Sequence, residues 1–312
     1  MQRFFSIGDV PPQFGPSAIT IGKFDGVHAG HREVIARLRL AAAQRGLMST
    51  IVTFDRNPLS LLDPERCPVP LVSVTQKLDL IERAGIDATL VLPFDRRLSE
   101  LTAQQFVQII LVSGLHAALV LVGADFRFGA HGVGDIQLLR ELGLTHGFEV
   151  EVIDDIADGD GARVSSTRIR ALLVEGRVRD AASLLGALPT IRGTVVHGEQ
   201  RGRTLGYPTA NLSRDAEGFL PTDGVYAAWL TAEGVRYPAA VSIGNNPTFE
   251  GIPDHQVEAH AIDVSLDLYG KVIEIGFVEH IRGMRKFSST DALTEQMGAD
   301  EQRIRSVLGA TD

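Results

Sequence analysis

"AITIGKFDGVHAGHREVI" occupies residues 18–35. Its first residues form a short apolar run, as a strand buried on both faces would. Gly22 and Gly26 then interrupt the run, two histidines follow at His28 and His31 around Gly30, and an amphipathic helical pattern begins. A strand handing over to a helix through glycines and imidazoles sets both the fold and the chemistry to look for. Helix N-termini carry unpaired N–H groups and partial positive charge, which makes them anion sites. Glycines let the backbone approach a phosphate closely. Imidazoles at that point can donate hydrogen bonds to phosphoryl oxygens as negative charge builds. A metal site and a plain capped helix with two surface histidines are the rival readings. The metal reading leaves the glycines unexplained and has no His/carboxylate set at ligand spacing nearby.

The same pattern repeats outward. Apolar runs at 49–54, 88–94, 117–123 and 148–153 alternate with helical patterns near 31–45, 75–84, 103–112 and 134–146. Alternation of this kind predicts βαβ units and a mostly parallel sheet. Ligands of such sheets bind beyond the carboxyl ends of the strands, where Gly22–His31, Gly123–Gly129 and the stretch after Phe54 fall. Two more helical segments are predicted near 166–175 and 179–185. Past Pro189 the pattern changes to short strands with glycine-bounded turns, predicting a small β-barrel closed by a helix over 291–308. The expected division is a first domain over 1–186 and a second over 187–312.

Bulk properties narrow the function classes. A chain of 312 residues with 44% hydrophobic and 22% charged residues is ordinary for a globular protein of about two domains. The net charge of −9 argues against a surface that grips nucleic acid, while leaving room for local phosphate pockets. Cys67 is the single cysteine, so no internal disulfide is possible, which fits a reducing cytoplasm. The N-terminal "MQRFFSIGDVPPQFGP" lacks the apolar core of a signal peptide. The densest apolar run, "AALVLVGA", is far short of the roughly 20 residues a membrane span needs. A cytoplasmic protein acting on small molecules is expected, monomeric or transiently self-associating, without nucleic-acid or membrane partners.

Two further stretches carry chemistry. "VSSTRIRALL" (164–173) puts Ser165, Ser166 and Thr167 ahead of a helix, with Arg168 and Arg170 in its first turn. The hydroxyls suit a cap, but arginine at a helix start opposes the dipole, and a polyphosphate would remove that conflict. "GTVVHGEQRGRTLGYPTANL" (193–212) places Arg201 and Arg203 among Gly193, Gly198, Gly202 and Gly206. This suits phosphates without being a Walker loop. Thr209 and Asn211, two apart in an extended segment, face one side and offer neutral oxygens suited to Mg²⁺. A Thr- or Asx-stabilised turn after Pro208 is the plain alternative.

"TIGKFDGVHAGH" with "SSTRIR", "VTFD", "LVLPFD" and "VGADFRFG" resembles the FAD synthetase (FMN adenylyltransferase) module of bifunctional bacterial riboflavin kinase/FAD synthetases, over about 15–185. "GRTLGYPTANL" with "DGVYAA", "VEAHAIDVSLDLYGK" and "IRGMRKFSS" resembles the riboflavin kinase domain of the same family, over about 190–310. The resemblance implies a Rossmann-like nucleotidyltransferase domain and a six-stranded antiparallel barrel with a C-terminal helix. It implies ATP as co-substrate, a divalent metal, and riboflavin, FMN and FAD as substrates and products. In the first domain it implies His28, His31 and Arg168 as catalytic, with Gly22, Phe24, Gly30, Ser165, Ser166 and Thr167 on the ATP phosphates. Phe54, Asp125, Phe126 and Phe128 would border the flavin and nucleotide pockets, and Asp25 would organise the turn. In the second it implies Glu258 as the base, Thr209 and Asn211 at the metal, Gly198, Arg201, Gly202 and Arg203 over the phosphates, and Arg285 and Phe287 on the flavin. Two departures from the family pattern stand out: "RNP" (56–58) replaces a Pro-His-Pro-like run, and Gly283 and Met284 stand where acidic residues are common.

Two other classes compete. HxGH motifs also occur in aminoacyl-tRNA synthetases, but the short first domain and the acidic balance weigh against a tRNA partner. A flavin-binding regulator that had lost catalysis would not be expected to keep both residue sets complete.

Overall fold

A computed structural model describes residues 1–154, 163–198, 206–244 and 256–309. It divides into two compact units, Met1–Ser165 and Ser166–Asp312.

The first unit is built on a six-stranded sheet whose order is β1-β4-β3-β2-β5-β6. Its strands are β1 (Gln2–Phe4), β2 (Ser17–Ile21), β3 (Met48–Phe54), β4 (Ala88–Leu92), β5 (Ala117–Gly123) and β6 (Glu149–Ile153). Every pairing is parallel. The predicted strands are all present; β1 is the addition, three residues paired to β4 at the sheet edge, too short to give an apolar run. Side chains alternate between two buried faces, as both-sided burial requires. Ile19, Ile21, Val120 and Val122 enter one core with Phe106 and Leu139. Ala18, Ile51, Leu119 and Leu121 enter the other with Ile35, Leu38 and Ile81.

The helices of this unit are α1 (Ala29–Arg45), the one-turn α2 (Leu59–Leu62), α3 (Val74–Arg83), the short α4 (Arg96–Glu100), α5 (Ala103–Phe106) and α6 (Ile136–His146). The helix predicted over 103–112 continues from α5 as a π-helix over Val107–Gly114. Chain order runs from β2 outward to β3 and β4, then returns to the other side of β2 at β5. That reversal opens a crevice at the carboxyl ends of β2 and β5. Gly22–His31 leaves one side of it and Gly123–Gly129 the other.

The second unit begins with α7 (Ser166–Val174) and α8 (Val178–Leu185). Its closed barrel has the order β10-β11-β8-β7-β12-β9, with β7 (Thr190–Val196), β8 (Ala210–Leu212), β9 (Gly224–Ala232), β10 (Val235–Gly244), β11 (Gln256–Ala261) and β12 (Val272–Arg282). All pairs are antiparallel. β9 and β10 are joined by Glu233 and Gly234, both at positive φ (51° and 80°), the left-handed pair that matches strand twist in a tight hairpin. Bulges between Phe277 and Glu279 and between His280 and Arg282 bend β12 around the barrel. The closing helix is α9 (Thr290–Leu308). It sends Ile304 into a core with Val225, Ala227, Ile262 and Ile281. The buried Asp300 of α9 accepts from the Arg282 guanidinium at 2.9 Å.

Candidate active sites

The turn between β2 and α1 holds the first site. Its backbone enters the left-handed region at Phe24 (φ 49°), Gly26 (83°) and Val27 (42°). Two of these are non-glycine residues, and such strain persists only where surrounding structure enforces it, commonly at functional sites. The Asp25 carboxylate accepts from the Leu71 amide at 2.7 Å, tying the turn to a neighbouring loop. His28 takes the N-cap position of α1, yet its side chain caps no amide.

The His28 and His31 rings stack with centroids 3.8 Å apart and planes 20° apart. Phe24 lies against His31 at 4.9 Å. The Nδ1 atoms of both rings are buried and, among the described residues, have no hydrogen-bond partner. A Cβ on Gly30 would come within 3.2 Å of the His28 ring, close enough to push the ring by a few tenths of an ångström. Burial pushes the His28 imidazole down to about 4, helped by the Arg163 guanidinium. His31 falls well below the ordinary imidazole range through burial, then through His28 and Lys77. Both rings are therefore uncharged at neutral pH and present a hydrogen-bonding pair at an uncapped helix start.

The crevice's other wall carries Asp125 and Phe126, which line an open hollow of about 340 Å³. The Asp125 carboxylate pairs with Arg163 at 2.8 Å. Phe126 and Phe128 stack at 5.5 Å, but Phe128 is buried in the sheet core against Phe106. Gly129 is positive in φ, and a Cβ there would strike the Ala103 amide at 2.6 Å. Phe54 ends β3, edge-on to Phe94 at 5.5 Å. Ser165 ends the first unit; Ser166, Thr167 and Arg168 open α7 in the second.

In the barrel, Asn211 of β8 and Glu258 of β11 are direct partners in register, so both side chains leave the same face. Glu258 lines a cavity of about 380 Å³ with Arg285, Phe287 and Met297. Arg282 and Arg285 lie over the Phe287 ring at 5.6 and 5.7 Å. Thr209 lines this cavity and also a second one of about 520 Å³, bounded by Val195, Leu268 and Tyr269. Gly198 is pressed onto the Asn211 carboxamide: a Cβ there would lie 2.4 Å from Nδ2. Arg201, Gly202 and Arg203 lie outside the described residues.

Family models assign residues 11–168 to FAD synthetase and 185–308 to riboflavin kinase. The chain belongs to the bifunctional riboflavin kinase/FMN adenylyltransferase family. The relative of that name from Escherichia coli (strain K12) is 39% identical over 301 residues, covering 96% of this chain and 95% of its own. The one from Pseudomonas fluorescens is 36% identical, covering 98% of each. A crystal structure described as a macrolide-efflux protein from Streptococcus pneumoniae shares the fold at TM-score 0.87 and 32% identity, over 97% of this chain and 98% of its own. Among the described residues of this chain, no helix is long and apolar enough to cross a membrane.

The FAD synthetase half also contains two cations that sequence reasoning passed over. Arg163 bears on His28 and pairs with Asp125. Lys77, buried in α3, bears on His31. Neither belongs to a quotable motif; each acquires its place only through tertiary contact. In the riboflavin kinase half, His260 was passed over in the same way. Its Nδ1 lies 2.8 Å from the Pro208 carbonyl, beside Thr209.

Proposed function

We propose that the chain makes FMN and then FAD, each reaction in its own half. The barrel transfers the γ-phosphoryl group of ATP to the ribityl hydroxyl of riboflavin. The first half joins the AMP moiety of a second ATP to the FMN phosphate and releases pyrophosphate. The two uncharged, stacked imidazoles at the start of α1 carry the adenylyl-transfer assignment. Transfer of this kind needs positioning and charge stabilisation more than a covalent intermediate. An FMN phosphate oxygen attacks the α-phosphorus of ATP and the bond to pyrophosphate breaks. His28 and His31 donate to the α-phosphate oxygens as charge develops there. Being neutral at pH 7, they deliver N–H donors without first losing or gaining a proton. Gly22, Phe24 and Gly30 border the phosphates, while Ser165, Ser166, Thr167 and Arg168 take the β- and γ-phosphates. Phe54, Asp125 and Phe126 flank flavin and nucleotide, with Phe128 supporting Phe126 from the core. In functional terms we place the end of the first domain at about residue 186.

In the barrel, Thr209 stands on the wall common to two cavities, which suits phosphoryl transfer from a nucleotide in one to a flavin in the other. Glu258 takes the hydroxyl proton as the oxygen attacks the γ-phosphorus, and ADP leaves. Arg285 and Phe287 close on the flavin ring, and Gly198 with Arg201, Gly202 and Arg203 covers the phosphates. The residues fit Mg²⁺: Thr209 and Asn211 offer hard, neutral oxygens beside the Glu258 carboxylate, in a cradle a Cβ at Gly198 would fill. Among the described residues there is no cluster of three or more His, Cys, Asp or Glu side chains able to hold a metal ion. The ion's remaining ligands would come from phosphates and water. When bound it would neutralise charge on the transferring phosphoryl group. We place the protein in the cytoplasm as a monomer or transient oligomer whose partners are ATP and flavins, not nucleic acid or membrane.

Separating flavins by HPLC after incubation with riboflavin, ATP and Mg²⁺ tests the whole scheme. FMN followed by FAD is expected. FMN alone would remove the first-site assignment, and unchanged riboflavin would remove the kinase assignment.

A further inference from the structure

Lys77 is 8% exposed, and burying an ammonium group is costly unless its donors and charge are matched. Among the described residues it forms no ion pair. Its three N–H donors go instead to the Lys23 carbonyl at 3.2 Å, Thr53 Oγ1 at 3.2 Å and the Phe54 carbonyl at 2.8 Å. Thr53 closes the set by donating its hydroxyl to the same Lys23 carbonyl at 3.1 Å. Burial draws the ammonium group down to about 8, and the Asp25 and Asp55 carboxylates partly oppose this. It remains mostly protonated at pH 7.

The acceptors belong to two different strand ends. Phe54 is the last residue of β3, and Lys23 is the second residue beyond β2. These strands are neighbours in the sheet, and ligands of parallel sheets bind beyond such ends. Lys23 immediately precedes the left-handed turn through Phe24, Gly26 and Val27. That turn delivers Phe24 to the His31 ring and ends at His28, the cap of α1. Strain of this kind needs an anchor, and an ammonium holding carbonyls at the turn's entry provides one. The same charge bears on His31.

We propose that Lys77 is a positioning residue for adenylyl transfer: its ammonium group clamps the backbone carbonyls beyond β2 and β3, fixing the turn that sets His28 and His31 against the α-phosphate. The inference rests on the adenylyl-transfer reading of this site. Lys77 touches neither reacting atom; it acts through the turn. A neutral apolar side chain at 77 would take the ammonium donor from the Phe54 carbonyl, leave the Lys23 carbonyl to the Thr53 hydroxyl alone, and loosen the entry to the turn. The imidazoles would then sample positions away from the stacked pair, and an error of about 1 Å in such groups costs on the order of 100-fold in rate.

The test uses the full-length chain, with riboflavin phosphorylation in the same preparation as an internal control. Lys77→Met is expected to lower kcat for FAD formation from added FMN and ATP by roughly 10- to 100-fold. KM for either substrate should move by less than about threefold, since the loss falls on the positioning of the imidazoles in the transition state. Lys77→Arg, which keeps charge and several donors, should recover most of the lost kcat. FMN formation by the barrel should stay within about twofold of the unmodified chain. A Lys77→Met chain whose kcat for FAD formation stays within about twofold overturns the proposal, as does a loss confined to KM. If Lys77→Met removes the melting transition of the first unit, Lys77→Gln decides. With two uncharged N–H donors it should restore that transition while kcat stays low; recovery of kcat together with the fold would make Lys77 a folding residue only and overturn the proposal. An unmodified chain that made no FAD from FMN would strike the adenylyl-transfer reading itself. That failure would show before any variant was measured, and so is told apart from a failure of Lys77.

Discussion

Asn211 and Glu258 face each other across neighbouring antiparallel strands, which brings a candidate metal ligand and a candidate general base to one face of the barrel. Cross-strand partners on one face sit with Cβ atoms about 5 Å apart. Glu258 lines the cavity that we assign to the flavin, beside the phosphates that Asn211 and Thr209 would hold. Glu258→Gln keeps the shape and removes the base. FMN formation should fall by roughly 100-fold or more, while FAD formation from added FMN stays near its original rate. HPLC of the flavins from each incubation reads both; loss of both reactions in a folded chain would refute the division of labour.

Gly198 gives a second, purely steric test of the same site. Its Cβ position lies 2.4 Å from Asn211 Nδ2 and 2.7 Å from Oδ1. Asparagine is too short to yield without leaving its place, so Gly198→Ala should displace the carboxamide. We expect KM for Mg-ATP in riboflavin phosphorylation to rise by about tenfold, a displacement penalty well within what misplaced ligands cost. FAD formation from FMN should not change. An unaltered KM would mean that Asn211 contributes nothing to nucleotide binding.

The architecture was legible in the sequence because burial writes itself into pattern. Strands covered on both faces are apolar throughout, so β2 to β6 stand out, whereas β1 needs only three residues to pair with β4 and leaves no run to see. The β9–β10 hairpin shows as Glu233-Gly234 between apolar segments. The π-helical continuation of α5 is invisible, since its apolar residues repeat much as an α-helix's do. In the candidate sites, legibility followed motif density. His28, His31, Thr209, Asn211 and Glu258 lie in strings that resemble a known family. Lys77 sits in "VTQKLDL", an ordinary amphipathic helix start whose lysine reads as solvated until the fold turns it inward. Phe126 and Phe128, two apart, share one face of "FRFG" and stack on each other, Phe128 buried in the sheet core and Phe126 packed against it. The contact between Gly198 and Asn211 depends on how β7 and β8 pair, which no local pattern encodes.

The stacked imidazoles invite the mirror experiment. His28→Ala combined with His31→Ala removes both donors at the start of α1 while keeping good helix formers there. FMN should accumulate from riboflavin and ATP, with FAD formation reduced by roughly 1,000-fold. That corresponds to the loss of two preorganised donors to a developing charge. FAD formation persisting at more than about a tenth of the original rate would move the catalytic role elsewhere in the crevice.

The depressed imidazoles also make a prediction about stability. In the unfolded chain His28 titrates near 6.5, and in the folded protein near 4. Between those values the unfolded state binds a proton that the folded state refuses, so stability falls as pH falls through this window and levels off below about 4. The shift corresponds to about 3 kcal/mol from His28 alone, and His31, displaced in the same direction, adds to it. Above pH 6.5 neither group contributes a slope. The melting temperature of the first unit, followed by calorimetry on the full-length chain, should therefore drop between pH 6.5 and 4.5. His28→Ala, which removes one of the two contributions, should flatten that drop. An equal slope in the variant would mean that the fold does not hold His28 uncharged and would remove His28 from the uncharged-imidazole basis of the proposed mechanism.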